Sequence, residues 1–200
     1  LGGIFNTRYT EGAQLLAAAM RAGRFGRLTS VSAVTPWWRD NAYYDSSDWK
    51  GTWALDGGGA FMNQGIHSID LLQWLVGEPV TSVNGRIATI AHNGIEVEDT
   101  GTAQLQFANG ALGTVMCATS MWPGHFRTTT IAGTDGTAVL ADGQLLFWQF
   151  MHETATDNDI RQRLLRLPGP GIGGSDPSAG VDSDGHAAVL QDFMGAIVEK

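Results

Sequence analysis

A single cysteine in 200 residues excludes an intramolecular disulfide. That residue, Cys117, lies in an alternating, strand-like run and reads as a small buried hydrophobe. Positive charge is also scarce: 12 Lys and Arg stand against 20 Asp and Glu, a formal net charge of −8. Basic residues form no cluster beyond a scattered pair, which argues against a nucleic-acid or anionic-membrane surface. No apolar run approaches the roughly 18 residues that cross a bilayer, and no signal-peptide pattern opens the chain. His152-Glu153 lacks the second histidine of a zinc-protease motif. Gly169-Pro-Gly-Ile-Gly-Gly174 fits G-x-G-x-x-G, but the strand before it and the helix after it that hold a pyrophosphate are lacking, so it reads as loop. These absences predict a reducing, cytoplasmic setting.

What the chain does contain is a 43% hydrophobic composition, enough for a sizeable core. Its densest signal is Asp56-Gly-Gly-Gly-Ala-Phe-Met-Asn-Gln-Gly-Ile-His-Ser-Ile-Asp70, running on to Trp74 and Gly77. A triple glycine opens what reads as a helix, with the phase secure from Ile66 onward. Asn63, His67, Asp70 and Trp74 fall on one narrow stripe at about 100° per residue. Ile66, Ile69, Leu71, Leu72, Leu75 and Val76 make the remaining faces apolar. Such a helix is buried, and its polar stripe needs partners or a lined cavity.

Residues 3–9 read as a strand, and Thr10 caps a helix over about 11–22 stopped by Gly23. A strand follows over 27–37, then an aromatic and polar loop over 36–53. Further strands are expected at about 80–92, 98–108, 111–121, 126–133, 136–141 and 144–150. Asn109-Gly110 between two alternating runs is a hairpin signal, and 134–136 and 141–143 mark two more tight turns. Residues 152–182 read as a polar, Gly/Pro-rich loop or flap. A last helix spans about 184–198, with Ala188, Leu190, Phe193 and Ile197 inward. This gives an α+β fold: an open, predominantly antiparallel sheet with helices on one face. The uncovered face suits a homo-oligomer. The chain begins in an apolar run without methionine and stops in a helical pattern, so it is expected to be part of a longer protein.

His67 has two readings: a core histidine bonded to Asp70 or a carbonyl, or a general acid/base, since imidazole titrates near neutral pH. Asp70 is either its orienting partner or structural. Ser68 points to another face and sits in no nucleophile elbow, which disfavours a hydrolase triad. Asn63, His67 and Asp70 supply too few strong donors for a metal site, and none is assigned. His92 and His125 read as surface or turn residues. His186 is either solvated or turned toward the cavity of the central helix. Trp37, Trp38, Tyr43, Tyr44, Trp49 and Trp53, with Arg39 and Lys50, look like a wall for a sugar or polyol, whose C–H faces pack on aromatic rings.

Trp49-Lys50, the segment from Gly57 through His67 to Asp70, and Trp74-Leu-Val-Gly77 resemble the core motif of the glucose–fructose oxidoreductase / inositol dehydrogenase (Gfo/Idh/MocA) family. Val97-Glu-Asp-Thr-Gly-Thr-Ala and Phe107-Ala-Asn-Gly-Ala-Leu-Gly fit as well. The resemblance implies a Rossmann domain ending at about residue 27 and a substrate-binding and oligomerisation domain over 28–200. It implies hydride transfer between NAD or NADP and a hydroxyl carbon of a sugar or cyclitol. His67 takes the place of the catalytic histidine, with Asn63 and Asp70 holding its ring. Asn63 stands where the family has an aspartate, and an amide takes no proton. Trp49 and Lys50 are implied to border the cofactor; Trp38, Arg39, Tyr44, Trp53 and His186 are expected to bind substrate. The family's Glu-Lys-Pro segment and nucleotide loop are not in these residues, so the chain alone is expected to be inactive. The alternative is a binding or assembly module that keeps the fold without the chemistry.

Overall fold

The computed structural model describes residues 3–165 and 183–198. The glycine run at 169–174 and most of the expected 152–182 flap lie outside them. A 3-10 turn, Asn6–Tyr9, leads into α1 (Glu11–Arg21). The expected strand over 3–9 is therefore corrected. Ile4 is exposed, so the apolar start has no sheet to join, and the backbone turns where Arg8 and Thr7 find side-chain partners. Thr10 caps α1 through the Ala13 N–H, and Ala13, Leu16 and Ala17 are buried beneath it.

Seven strands form one sheet: β1 (Leu28–Pro36), β2 (Val80–Ala88), β3 (Thr100–Phe107), β4 (Leu112–Ala118), β5 (Thr128–Gly133), β6 (Gly136–Ala141) and β7 (Gln144–Phe150). Their order is β2-β3-β4-β1-β5-β6-β7. All neighbours are antiparallel except β1 with β4, which run parallel from Ser30 opposite Leu112 to Pro36 opposite Ala118. Two meanders thus flank one inserted central strand. The turns behave as their residues dictate: Gly110 has φ 86°, and Asp142 and Gly143 have φ 46° and 84°, as a two-residue hairpin turn requires.

Alternation sorts each strand. Val31, Ala33, Val115, Cys117, Ile131, Leu140 and Trp148 point to the helix-bearing face and are buried. Ser30, Thr102, Gln104, Gln106, Leu112 and Thr114 point to the other, open face. On the covered face lies α3 (Ile66–Val76), which buries Leu71, Leu72, Leu75 and Val76 and ends on Gly77 at φ 68°. A short α2 (Asn41–Asp45), capped by Asp40, interrupts the aromatic loop.

Two departures concern the C-terminal third. Residues 155–164 are not loop but α4 (Ala155–Leu164). This helix is polar, and its order comes from one side chain. Asp157 closes a capping box on Thr154, accepts both terminal nitrogens of Arg24 at 2.8 Å, and accepts the indole N–H of Trp148 at 2.7 Å. In α5 (Ser183–Val198), Val189 is buried, whereas Leu190, Phe193 and Ile197 are exposed. The expected inward phase is therefore corrected: the helix packs on the Asn6–Tyr9 turn, through contacts that include Tyr9 to Asp192, and its apolar stripe faces away.

Candidate functional site

The loop that delivers His67 is shaped by close approaches that only glycine allows. Asn63 and Gln64 lie in turns, and the regular helix begins at Ile66. The Glu98 carboxylate, buried beside β3, accepts the Gly59 N–H at 2.9 Å and the Phe61 N–H at 3.0 Å. A Cβ on Gly59 would stand 1.8 Å from the Glu98 carbonyl oxygen, and one on Gly65 would stand 2.2 Å from Cys117 Sγ. Cys117 is thus the small buried residue the sequence suggested; burial pushes its thiol up to about 12. Gly59→Ala is expected to cost about 1–3 kcal/mol, since the backbone on both sides must shift. Urea unfolding reads this directly, and an unchanged midpoint contradicts the contact.

His67 is half-buried. Its ring meets Phe5 edge-on, with centroids 6.0 Å apart, and its Nδ1 is buried with no hydrogen-bond partner among the described residues. Asp70 does not orient it. Both Asp70 oxygens are held by Arg8, from Nε at 2.7 Å and from a second guanidinium nitrogen. Asn63 does not hold it either, since its amide N–H donates to Asp56 at 3.2 Å. At that stripe Asp70 and the Asn63 amide are thus each engaged elsewhere. Burial, then the charge of Arg127, holds the His67 pKa below its ordinary 6.5; Asp70 opposes this and His186 adds to it. His186 therefore lies within electrostatic reach of His67. The lone Nδ1 acts in the same sense, because an imidazolium would carry a buried N–H there without an acceptor.

Arg127, just before β5, was not evident from the sequence. Its Nε faces Asp142 at 3.3 Å, and a terminal nitrogen donates to Thr7 at 3.1 Å. Its guanidinium lies 6.0 Å from the Trp37 ring. The void among Thr7, Ser68, Arg127 and Thr129 is about 10 Å3, so the packing behind His67 is tight. Arg8, Thr7 and Arg127 carried no local signal, because the pairs Arg8–Asp70 and Thr7–Arg127 join residues far apart in sequence.

Trp37 links this centre to the aromatic loop. Arg39 lies 5.3 Å from the Trp37 ring and 5.3 Å from Tyr43, and donates to the Trp38 carbonyl. Lys50 Nζ lies 4.1 Å from the Tyr43 ring and donates to Ser46 Oγ. Gln64, three residues before His67, donates to the Tyr43 hydroxyl at 3.2 Å. Trp49 and Trp53 are 43% and 52% exposed.

Two members of the expected wall lie against His92. Tyr44 is buried, shares a 2.8 Å hydrogen bond with Thr119 and abuts His92; burial pushes its hydroxyl up to about 12. Trp38 lies tilted 5.7 Å from His92. His92 is itself a correction. It is buried, with Nδ1 3.0 Å from Asp99 and Nε2 2.7 Å from the Arg39 carbonyl oxygen.

A larger cleft of about 720 Å3 opens beside Asp142, lined by Tyr9, Glu11, Gln144 and Arg163 among others. An exposed Arg163–Glu11 pair spans it. Its described lining offers no histidine.

Residues 13–139 match the family model described as GFO/IDH/MocA C-terminal domain. The rhizopine catabolism protein MocA of Rhizobium meliloti is 26% identical over 184 residues, covering 91% of this chain and 54% of that protein. The WlbA dehydrogenase of Bordetella pertussis, solved in complex with NADH and UDP-GlcNAcA, is 39% identical with a TM-score of 0.74. That match covers 79% of this chain and 48% of the other. A levoglucosan dehydrogenase, solved with NADH and levoglucosan, is 26% identical with a TM-score of 0.74, covering 98% of this chain and 56% of the other. The chain thus spans about half the length of the relatives it matches.

Proposed function

The chain belongs to the GFO/IDH/MocA family as a C-terminal domain, and from that premise we propose that it is the substrate-facing half of an NAD(P)-dependent oxidoreductase acting on a hydroxyl carbon of a sugar or cyclitol. The observation that carries this reading is His67. It is half-buried and held toward its neutral form, with an aromatic and cationic row leading away from it. In the oxidative direction the neutral ring accepts the substrate hydroxyl proton, and in the reductive direction it returns one. The partly exposed Trp49 face beside Lys50 fits the edge of a planar nicotinamide, which, when bound, takes or gives the hydride. Trp53, His186 and Arg39 remain the substrate contacts of this reading.

A homo-oligomer through the open sheet face is part of the same proposal. That face carries exposed Leu112 and Phe147 among Thr, Ser and Gln, which suits a buried but partly polar contact. A second reading, an assembly module without chemistry, draws on one feature: the amide of Asn63 is spent on Asp56.

The full-length protein decides between them. With NAD+ or NADP+ and a panel of sugars and cyclitols, nicotinamide fluorescence is expected to grow with at least one substrate. If neither cofactor binds or is reduced, the module reading replaces the enzyme.

A further inference from the structure

Only 12 cationic side chains occur in this chain, against 20 carboxylates. Three of the 12 line one aromatic row. Arg127 lies 6.0 Å from the Trp37 ring, Arg39 stands 5.3 Å from both Trp37 and Tyr43, and Lys50 lies 4.1 Å from Tyr43. Cations and rings therefore alternate, beginning beside His67 and running toward Trp49. Composition does not account for such a concentration. Nor does local neutralisation account for all of it: Asp142 faces Arg127, but Lys50 has no carboxylate partner among the described residues, only Ser46 Oγ and two rings. A second observation is independent of charge. Trp37 Nε1 is buried with no acceptor among the described residues. A buried donor is ordinarily satisfied, so an unpaired N–H within the row marks a place where an acceptor is owed.

We propose that the sugar taken by this site is anionic, its negative charge received along the Arg127–Trp37–Arg39–Tyr43–Lys50 row while the reacting hydroxyl lies at His67. This rests on the oxidoreductase reading above. Guanidinium and ammonium groups held against rings are restrained, so they present oriented donors to an incoming carboxylate or phosphate. A neutral sugar would bring no counter-charge to the Lys50 ammonium and no ionic acceptor to the Trp37 N–H, and sites built around such groups discriminate strongly against a substrate that cannot meet them. The UDP-GlcNAcA bound by the 39% identical WlbA dehydrogenase bears both kinds of anion. The row itself does not distinguish a sugar carboxylate from a diphosphate.

The experiment uses the full-length protein and measures kcat/KM with NAD+ for four probes. UDP-GlcNAcA carries carboxylate and diphosphate, UDP-GlcNAc diphosphate only, glucuronate carboxylate only, and myo-inositol neither. At least one anionic probe is expected to exceed myo-inositol by about 100-fold or more, and the arm that does so identifies the anion. Lys50→Met and Arg127→Gln are each expected to reduce the anionic-to-neutral ratio by about tenfold or more. Circular dichroism checks that each variant is folded. Should Arg127→Gln fail to fold, the wild-type ratio and Lys50→Met still decide. Turnover of myo-inositol as fast as every anionic probe overturns the anion while leaving the oxidoreductase standing. Absence of NADH formation with every probe and with the wider sugar panel overturns both.

Discussion

In the full-length protein, His67→Ala is expected to lower kcat by about 10²–10⁴-fold, the usual contribution of a positioned general acid or base. A change under threefold would exclude the role. The pH dependence supplies the second readout. Burial and the Arg127 charge hold the folded-state pKa of His67 below 6.5. In the oxidative direction the active ring is neutral, so kcat/KM is lost only as pH falls through that lowered value. The acidic limb is therefore expected below pH 6.5, and Arg127→Gln moves it upward by removing a like charge. The sign for stability is the same. An unfolded chain protonates this ring at about 6.5, earlier than the folded one, so the group weakens folding as pH drops below that point. A limb above pH 6.5 would contradict the placement of the ring. Because Asp70 is committed to Arg8, Asp70→Asn acts mainly through that ion pair rather than through the tautomer of His67.

Asp157→Ala carries the largest expected effect on stability. The carboxylate is fully buried and accepts from Arg24, Trp148 and Thr154. Its removal leaves the Arg24 guanidinium, which lies 4.0 Å from the Phe150 ring, and the Trp148 N–H without their acceptor. Breaking one side of such a buried pair costs about 3–5 kcal/mol. For a chain of this size that corresponds to a fall in Tm on the order of 10 °C. Acid should act on the same group. Arg24 first, then the Thr154 and Trp148 hydrogen bonds, hold the Asp157 pKa below the ordinary carboxylate range despite burial. The contribution is therefore complete above about pH 4 and lost as pH falls toward the lowered folded value. A titration of Tm against pH should show this loss in the parent and a shallower slope in the variant. Equal slopes, or a fall in Tm of under about 2 °C, would remove Asp157 from the role.

Local signals were legible where they were self-contained. Asn109-Gly110 specifies its hairpin because the turn itself demands positive φ, and the apolar phase from Ile66 specifies α3 because burial follows periodicity. Elements that depend on distant partners were not legible. The helix over Ala155–Leu164 has little apolar periodicity, and its order comes from an aspartate reaching Arg24, 133 residues away. His92 resembled a turn residue because one of its ring partners is a carbonyl 53 residues distant. The exposed stripe of α5 reads inward only on the assumption that every periodic apolar face has a partner.

The same distinction governs the site. His67 could be placed from its helix and from the family motif, whereas Asn63 and Asp70 shared its stripe but not its chemistry. Asn63 falls before the regular helix begins, so its spacing no longer sets its direction. Arg127, which acts on the ring by its charge, and Arg8, which takes up Asp70, are brought there by a strand end and a turn that no spacing rule connects.

The position of β1 has a consequence for how the chain assembles. Its two neighbours, β4 and β5, come from residues about 80 to 100 positions later, so the middle of the sheet waits on the least local contacts in the molecule. Such pairings slow folding, because a long loop must be closed before any bond is gained. On the ribosome, β1 therefore emerges with both edges open; one waits for β4 at residue 118 and the other for β5 at residue 133. Over that interval the nascent chain is exposed to wrong strand partners, and a chaperone that shields residues 28–36 would be expected to raise the yield of native protein more than one acting on either flanking meander.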